Sequence, residues 1–160
     1  MSIPNQDPIQ NLMRNPRIKE CMCDPYNRCI EAGKISWDNR VDTFVHVRFD
    51  GCICRDLPVS RCDCVIFRVR LGNQKSVMFV IEVKECNPDL TEVREKIQYC
   101  IDEMIELLPH PRNQFRIIPV LCASAFHGLN HRAFFNYRVK IFGGKTVIRK
   151  RLHHEDINSL

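Results

Sequence analysis

No run of apolar residues in the 160-residue chain approaches the roughly 20 needed to cross a bilayer as a helix. Met1 to Met13 lacks the basic start and apolar core of a secretory leader. The sequence is therefore expected to be that of a soluble intracellular protein, cytoplasmic or nucleoid-associated, with no membrane partner. It has no internal repeat and no low-complexity linker, and 44% of its residues are hydrophobic. One domain over residues 1–160 follows, with 1–8 frayed and enough apolar material for a core.

A second absence is local. From Leu107 to His154 there is no Asp or Glu, yet that block holds nine Lys and Arg residues and five of the six histidines. Net charge is only +5, so the distribution says more than the total. One-sided charge of this kind is what a phosphate backbone attracts, because sequence-independent affinity comes from cations that neutralise phosphates. Lys145, Arg149, Lys150 and Arg151 are the candidate contacts. Nucleic acid is the expected partner, DNA in preference to RNA, and self-association as a homodimer is allowed. The alternative is a solvated basic face that serves solubility.

What the chain has in excess is cysteine: ten, at 21, 23, 29, 52, 54, 62, 64, 86, 100 and 122. Three Cys-x-Cys pairs occur, whereas structural zinc sites space paired ligands as C-x₂₋₄-C. Buried free thiols are the first reading, with Cys62 and Cys64 on one strand face opposite Asp63. Intracellular disulfides come second. A cluster ligated by Cys21, Cys23, Cys29, Cys52 and Cys54 comes third.

The stretch that organises the rest is Arg61 to Lys84. Two Val-, Ile- and Phe-rich runs flank a polar break at Leu71 to Ser76, and Gly72-Asn73 provides turn chemistry for antiparallel neighbours. Val77 to Ile81 is apolar without alternation, as in a central strand covered on both faces. It ends in Glu82-Val83-Lys84. Side chains alternate along a strand, so Glu82 and Lys84 share a face, and Asp63 on the hairpin partner lies beside them. Two carboxylates and the Val83 carbonyl suit a hard divalent cation such as Mg²⁺, which keeps several waters for a phosphate substrate. The alternative is a solvated Glu82–Lys84 pair on an edge strand, with Asp63 as a turn residue.

Around this centre, Ile9 to Met13 reads as a short helix stopped near Asn15-Pro16. Asp24-Pro25 opens a second helix that ends near Gly33 and carries Glu31. Thr43 to Phe49 alternates as a half-buried strand. Asp89 with Glu92 resembles a capping box, and Leu90, Val93, Ile97, Cys100, Ile101, Met104, Ile105 and Leu108 form the apolar stripe of a helix. Gln98 flanks that stripe, and Lys96 is expected on its outer side. Phe115 to Cys122 is expected to return parallel to the central strand. Phe134 to Ile141 and Thr146 to Leu152 read as a closing hairpin.

Asp63, a gap of eighteen residues, then Glu82-Val83-Lys84 at the end of an apolar strand resembles the D…(D/E)xK signature of the restriction-endonuclease-like nucleases. The resemblance implies an α/β fold with a three-layer core, a mixed central sheet with helices on both faces in the order α-β-β-β-α-β, here with an added C-terminal β-hairpin. It implies hydrolysis of nucleic-acid phosphodiesters with Mg²⁺ or Mn²⁺, with Asp63, Glu82 and Val83 holding the metal and Lys84 catalytic. By the same resemblance Glu31, or Glu20, would add an acid from the preceding helix, and Gln98 a polar group near the lysine. The chain departs from two branches of that superfamily. The fourth residue after Gln98 is Asp102 where a RecB-like exonuclease has Tyr, and no cysteine triplet follows Cys122. Two rivals remain: a non-catalytic nucleic-acid-binding subunit of the same fold, and a cysteine-ligated zinc or iron–sulfur protein.

Overall fold

The computed structural model describes residues 8–23, 43–54, 62–70, 75–85, 88–108, 110–126, 129, 131–153, 155, 157 and 160. The segment 24–33, with Glu31, lies outside them, as do residues 1–7; Pro8 already belongs to a helix.

Two short helices come first, α1 (Pro8–Met13) and α2 (Pro16–Cys21). The helix expected to stop at Asn15-Pro16 does stop, but a second one starts there at once. Asn15 is its N-cap, its Oδ1 accepting from the Arg17 and Ile18 amides at 3.0 and 3.3 Å, and Pro16 enters with its φ already helical. The signature recognised at Asp24-Pro25 thus also operates nine residues earlier. The Asn15 amide nitrogen donates to the Leu107 carbonyl at 3.0 Å, which ties this corner to the far end of the long helix.

Strands β1 (Thr43–Arg48), β2 (Cys64–Val69) and β3 (Ser76–Lys84) form an antiparallel meander. Helix α3 (Leu90–Leu107) then crosses to β4 (Phe115–Ala123), which lies parallel to β3, with the four-residue α4 (Pro111–Gln114) between them. After α5 (His131–Phe135) come β5 (Val139–Ile141), β6 (Gly144–Thr146) and β7 (Arg149–Leu152). The main sheet has the order β1-β2-β3-β4-β7, so β3 is central, and the architecture is α/β with a mixed five-stranded sheet.

The closing hairpin differs from expectation. Only β5 and β6 pair with each other, turning at Phe142-Gly143, while β7 leaves them and adds to β4 as a parallel edge strand. Phe134 and Phe135 sit in α5 rather than in a strand. Phe134 is 1% exposed and completes the core. Burial of that ring outweighs the strand propensity of Phe134 to Ile141.

Every residue of β2, and of β3 from Ser76 to Glu82, is buried, as two covered faces require. Met78 and Val80 face the α3 side with Val65, Phe67, Val93, Ile97 and Ile101. Val77, Phe79 and Ile81 face the other side with Ile66, Ile118, Val120 and Ile157. Leu12 of α1 and Ile18 of α2 join the α3-side cluster. Among the described residues the packed helices therefore lie on one face, not on both as expected.

Asn15 caps one helix with its oxygen and holds another with its nitrogen. Asn15→Ala should cost about 1–3 kcal/mol in urea unfolding, whereas Asn15→Asp, which keeps the cap, should cost about 1 kcal/mol. No loss in Asn15→Asp would remove the Leu107 tie from this account, and equal losses in the two variants would remove the cap.

Candidate active site

The end of β3 is where charge enters the buried sheet. The pairing of Cys64 with Ile81, continued by an Asp63 amide bond to the Ile81 carbonyl at 3.2 Å, sets Asp63 opposite Glu82. Period-two alternation turns Glu82 and Lys84 to the same side as Met78 and Val80, beneath the first turns of α3. Asp63 Oδ2 accepts from the Val83 amide at 2.6 Å, so the first acid is fixed to the backbone of the second strand.

Glu82 is 1% exposed. Its Oε1 lies 3.4 Å from Lys84 Nζ and 3.0 Å from Lys96 Nζ. Both ammonium groups also reach Glu92 Oε1, at 2.9 and 3.0 Å. Two carboxylates and two ammoniums thus close a ring between the strand end and the helix start. Glu82 Oε2 is buried and has no hydrogen-bond partner among the described residues. Burial, reinforced by the neighbouring Asp63 charge, pushes the Glu82 carboxyl up to about 7, against the lowering pull of Lys96 and Lys84. Hydrogen bonds from Lys84 and Lys96 hold half-exposed Glu92 below its ordinary range. Burial works against charge on Lys96, but the Glu82 and Glu92 carboxylates outweigh it and raise that ammonium's pKa.

The far end of β3 is stitched on its other flank. A ring nitrogen of His153 sits 2.8 Å from the Lys84 carbonyl, and the Ser124 amide donates to the Glu85 carbonyl at 2.7 Å. Lys84 is therefore held by its backbone from His153, just past β7, and by its side chain from α3.

Asp63, Glu82, Val83 and Lys84 come together as the sequence led one to expect. Lys96, expected on the outer side of the helix, instead packs inward onto Glu82, since its position three residues after Val93 and four before Cys100 puts it on the apolar stripe. Glu92 does not return to the N-cap as a capping box would; Asp89 caps the Thr91 and Glu92 amides alone, and the Glu92 side chain serves the two lysines. The i, i+4 spacing of Glu92 and Lys96 was the available signal.

Gln98 is committed elsewhere. Its Nε2 donates to the Lys140 carbonyl at 2.9 Å and its Oε1 accepts from the Lys140 amide at 2.7 Å, so it extends the backbone pairing of β5 onto α3. Glu20, in the last turn of α2, is exposed. The basic residues divide as well. Arg149 and Lys145 are exposed. Lys150 turns inward, 5.6 Å from the ring centres of Phe126 and Phe134 and 3.2 Å from the Leu129 carbonyl, while Arg151 donates to the Lys150 carbonyl at 3.0 Å.

The cysteines also sort. Cys21 is bonded to Cys52 and Cys62 to Cys100. Cys62 thus joins the α3 side, whereas Cys64 is buried on the opposite face outside these disulfides, so the two do not share a face. The first disulfide takes two of the five cysteines proposed for a metal cluster. Among the described residues no group of three or more His, Cys, Asp and Glu is placed to hold a metal ion.

Comparison with protein-family models, curated proteins and solved structures finds no match to the chain. Among the described residues no helix is long and apolar enough to cross a membrane.

A divalent cation fits the residues at the β3 end. An unpartnered, fully buried carboxylate oxygen is costly as it stands, and a second carboxylate faces it across the strand pair. Two acids and a carbonyl are few ligands, which suits Mg²⁺ because that ion keeps several waters.

The raised carboxyl of Glu82 has a consequence for stability without metal. Below about pH 4.5 the group is protonated in both folded and unfolded chains; between about 4.5 and 7 only the folded chain keeps the proton. Stability should therefore fall as pH rises through that window, by about 3 kcal/mol relative to Glu82→Gln. Urea unfolding in chelator across the window checks this, and parallel profiles for the two proteins would contradict it.

Proposed function

We propose that the chain is a divalent-metal-dependent nuclease of restriction-endonuclease-like type. The observation that carries the reading is Glu82: a buried carboxylate with one oxygen unpartnered, opposite Asp63 and beside Lys84, at the charged end of a central strand. Asp63, Glu82 and the Val83 carbonyl would hold Mg²⁺ or Mn²⁺. The ion would supply Lewis-acid polarisation of the phosphate and a more acidic bound water.

The chain's own residues supply the rest. Asp63 is aimed by its bond to the Val83 amide, so its second oxygen is directed without cost at the moment of reaction. Lys84 is anchored through its carbonyl by His153, and its ammonium would exchange between the Glu82 and Glu92 carboxylates and a phosphate oxygen. Lys96 reaches Glu82 from the opposite side and keeps a positive charge at the site when Lys84 turns to substrate. Preorganised cations of this kind favour the charge that develops on the phosphate over the ground state. Substrate is drawn by the acid-free block, in keeping with DNA or RNA as the polyanion.

Cleavage of single- and double-stranded DNA and RNA with Mg²⁺ and Mn²⁺ tests the reading. Lys84→Ala should lower kcat by about a hundredfold to a thousandfold at saturating metal, with binding in chelator little changed. Lys96→Ala should also lower kcat, by less. If Lys84→Ala cuts as fast as wild type the mechanism is wrong. If wild type binds every substrate and cuts none, the non-catalytic binding role replaces it.

A further inference from the structure

Two clefts of about 680 and 660 Å³ adjoin, one beside β7 and the other beside the start of β4, sharing Thr146 and Arg149 as lining residues. The larger is lined by Lys145, Arg149 and Arg151; the other by Arg70, Lys75, Arg112, Arg116 and Arg149. Among the described residues no Asp or Glu side chain lines either, and positions 71–74, beside Arg70 and Lys75, carry none in sequence. Arg70 and Lys75 come from outside the acid-free block, so the fold concentrates cations beyond what the sequence groups together. Lys75 is steadied by donation to the Arg112 carbonyl at 3.0 Å.

The walls of the second cleft are not charged alone. Val77, Ile141 and Phe142 contribute apolar surface. Phe142 occupies the first of two loop positions between β5 and β6, with φ of 48°, and Gly143 follows at 84°. A two-residue turn with both φ positive favours Asn, Asp or Gly at its first position, and a bulky aromatic there is an outlier. The hairpin tip thus sets a disfavoured side chain, half-buried, at the wall of a basic cleft. Ligand clamps are one place where backbone strain of this kind is retained.

We infer that the joined clefts form a track for single-stranded nucleic acid, with phosphates on the arginines and a base against Phe142. A duplex shows its phosphates outward and hides the faces of its bases. A single strand offers both, and a cationic groove with apolar and aromatic walls is built for that combination. The track begins at the level of Ser76 and Phe115, and Arg151 stands in register with Cys122, itself paired with Val83. At about 3.3 Å per residue it covers roughly 25 Å of sheet edge towards the Asp63–Glu82 end. The direction of travel rests on the proposed nuclease site; the binding does not.

Fluorescence anisotropy in chelator, with a labelled oligothymidine of about twelve nucleotides, tests binding apart from cleavage. Arg116→Gln with Arg149→Gln, both exposed positions, should weaken binding at least tenfold and reduce the salt slope by about 1.4, at roughly 0.7 per lost phosphate contact. Phe142→Leu should weaken it by about tenfold with the salt slope unchanged, because stacking is not electrostatic. A duplex of the same length should bind more weakly than the single strand. Unchanged affinity and slope in the double variant, or tighter binding of the duplex, overturns the track. Wild-type binding with these losses but no metal-dependent cleavage would keep the track and remove the nuclease; cleavage that survives with binding indifferent to Arg116 and Arg149 would do the reverse.

Discussion

A carboxylate at the buried end of a central strand must be matched by a proton, a cation or a metal, and at Glu82 the fold brings two ammonium groups within reach. Desolvation alone would keep the group protonated at neutral pH. Lys84 from its own strand and Lys96 from the covering helix draw it back towards charge, and both are shared with Glu92. This ring fixes the angle at which the start of α3 meets β3. It therefore couples helix placement to the chemistry of the site: what loosens α3 also changes the charge balance on Glu82.

The centre of the fold was legible because strand physics is local. An unbroken apolar run from Val77 to Ile81 announces two covered faces, and alternation beyond it places Glu82 and Lys84 together whatever the rest of the chain does. Asp63 followed because a short hairpin fixes register. Lys96 was missed for the opposite reason. Which flank of a helical stripe touches a strand end depends on the rotation and height of the helix over the sheet, and neither is encoded in a single period. The Glu92–Lys96 spacing reads as an ordinary surface pair until the strand beneath is known. Gln98, equally polar and equally close to the stripe, was taken by the β5 backbone instead.

The C-terminal third shows the same limit. Its two β-prone arms suggested one hairpin, but the sheet offered β4 a vacant edge, and β7 took it. That choice splits a basic run that looks uniform in sequence. Lys150 spends its charge on two aromatic rings, whereas Arg149 stays exposed and meets Arg116 and Arg70 from distant parts of the chain. The cysteines likewise carry no readable pairing. Cys62 and Cys64 differ in partner because the strand begins between them, at Cys64, and Cys62 is free to face α3.

The central claim is that Asp63 and Glu82 act as one metal-binding pair. Calorimetric titration of the wild-type protein with Mn²⁺ near pH 8, where Glu82 is largely ionised, tests it without any substrate. The account predicts a single site whose affinity falls at least tenfold in Asp63→Asn and in Glu82→Gln alike, since each supplies an oxygen to the same ion. Equal Mn²⁺ affinity in wild type and either variant would contradict it.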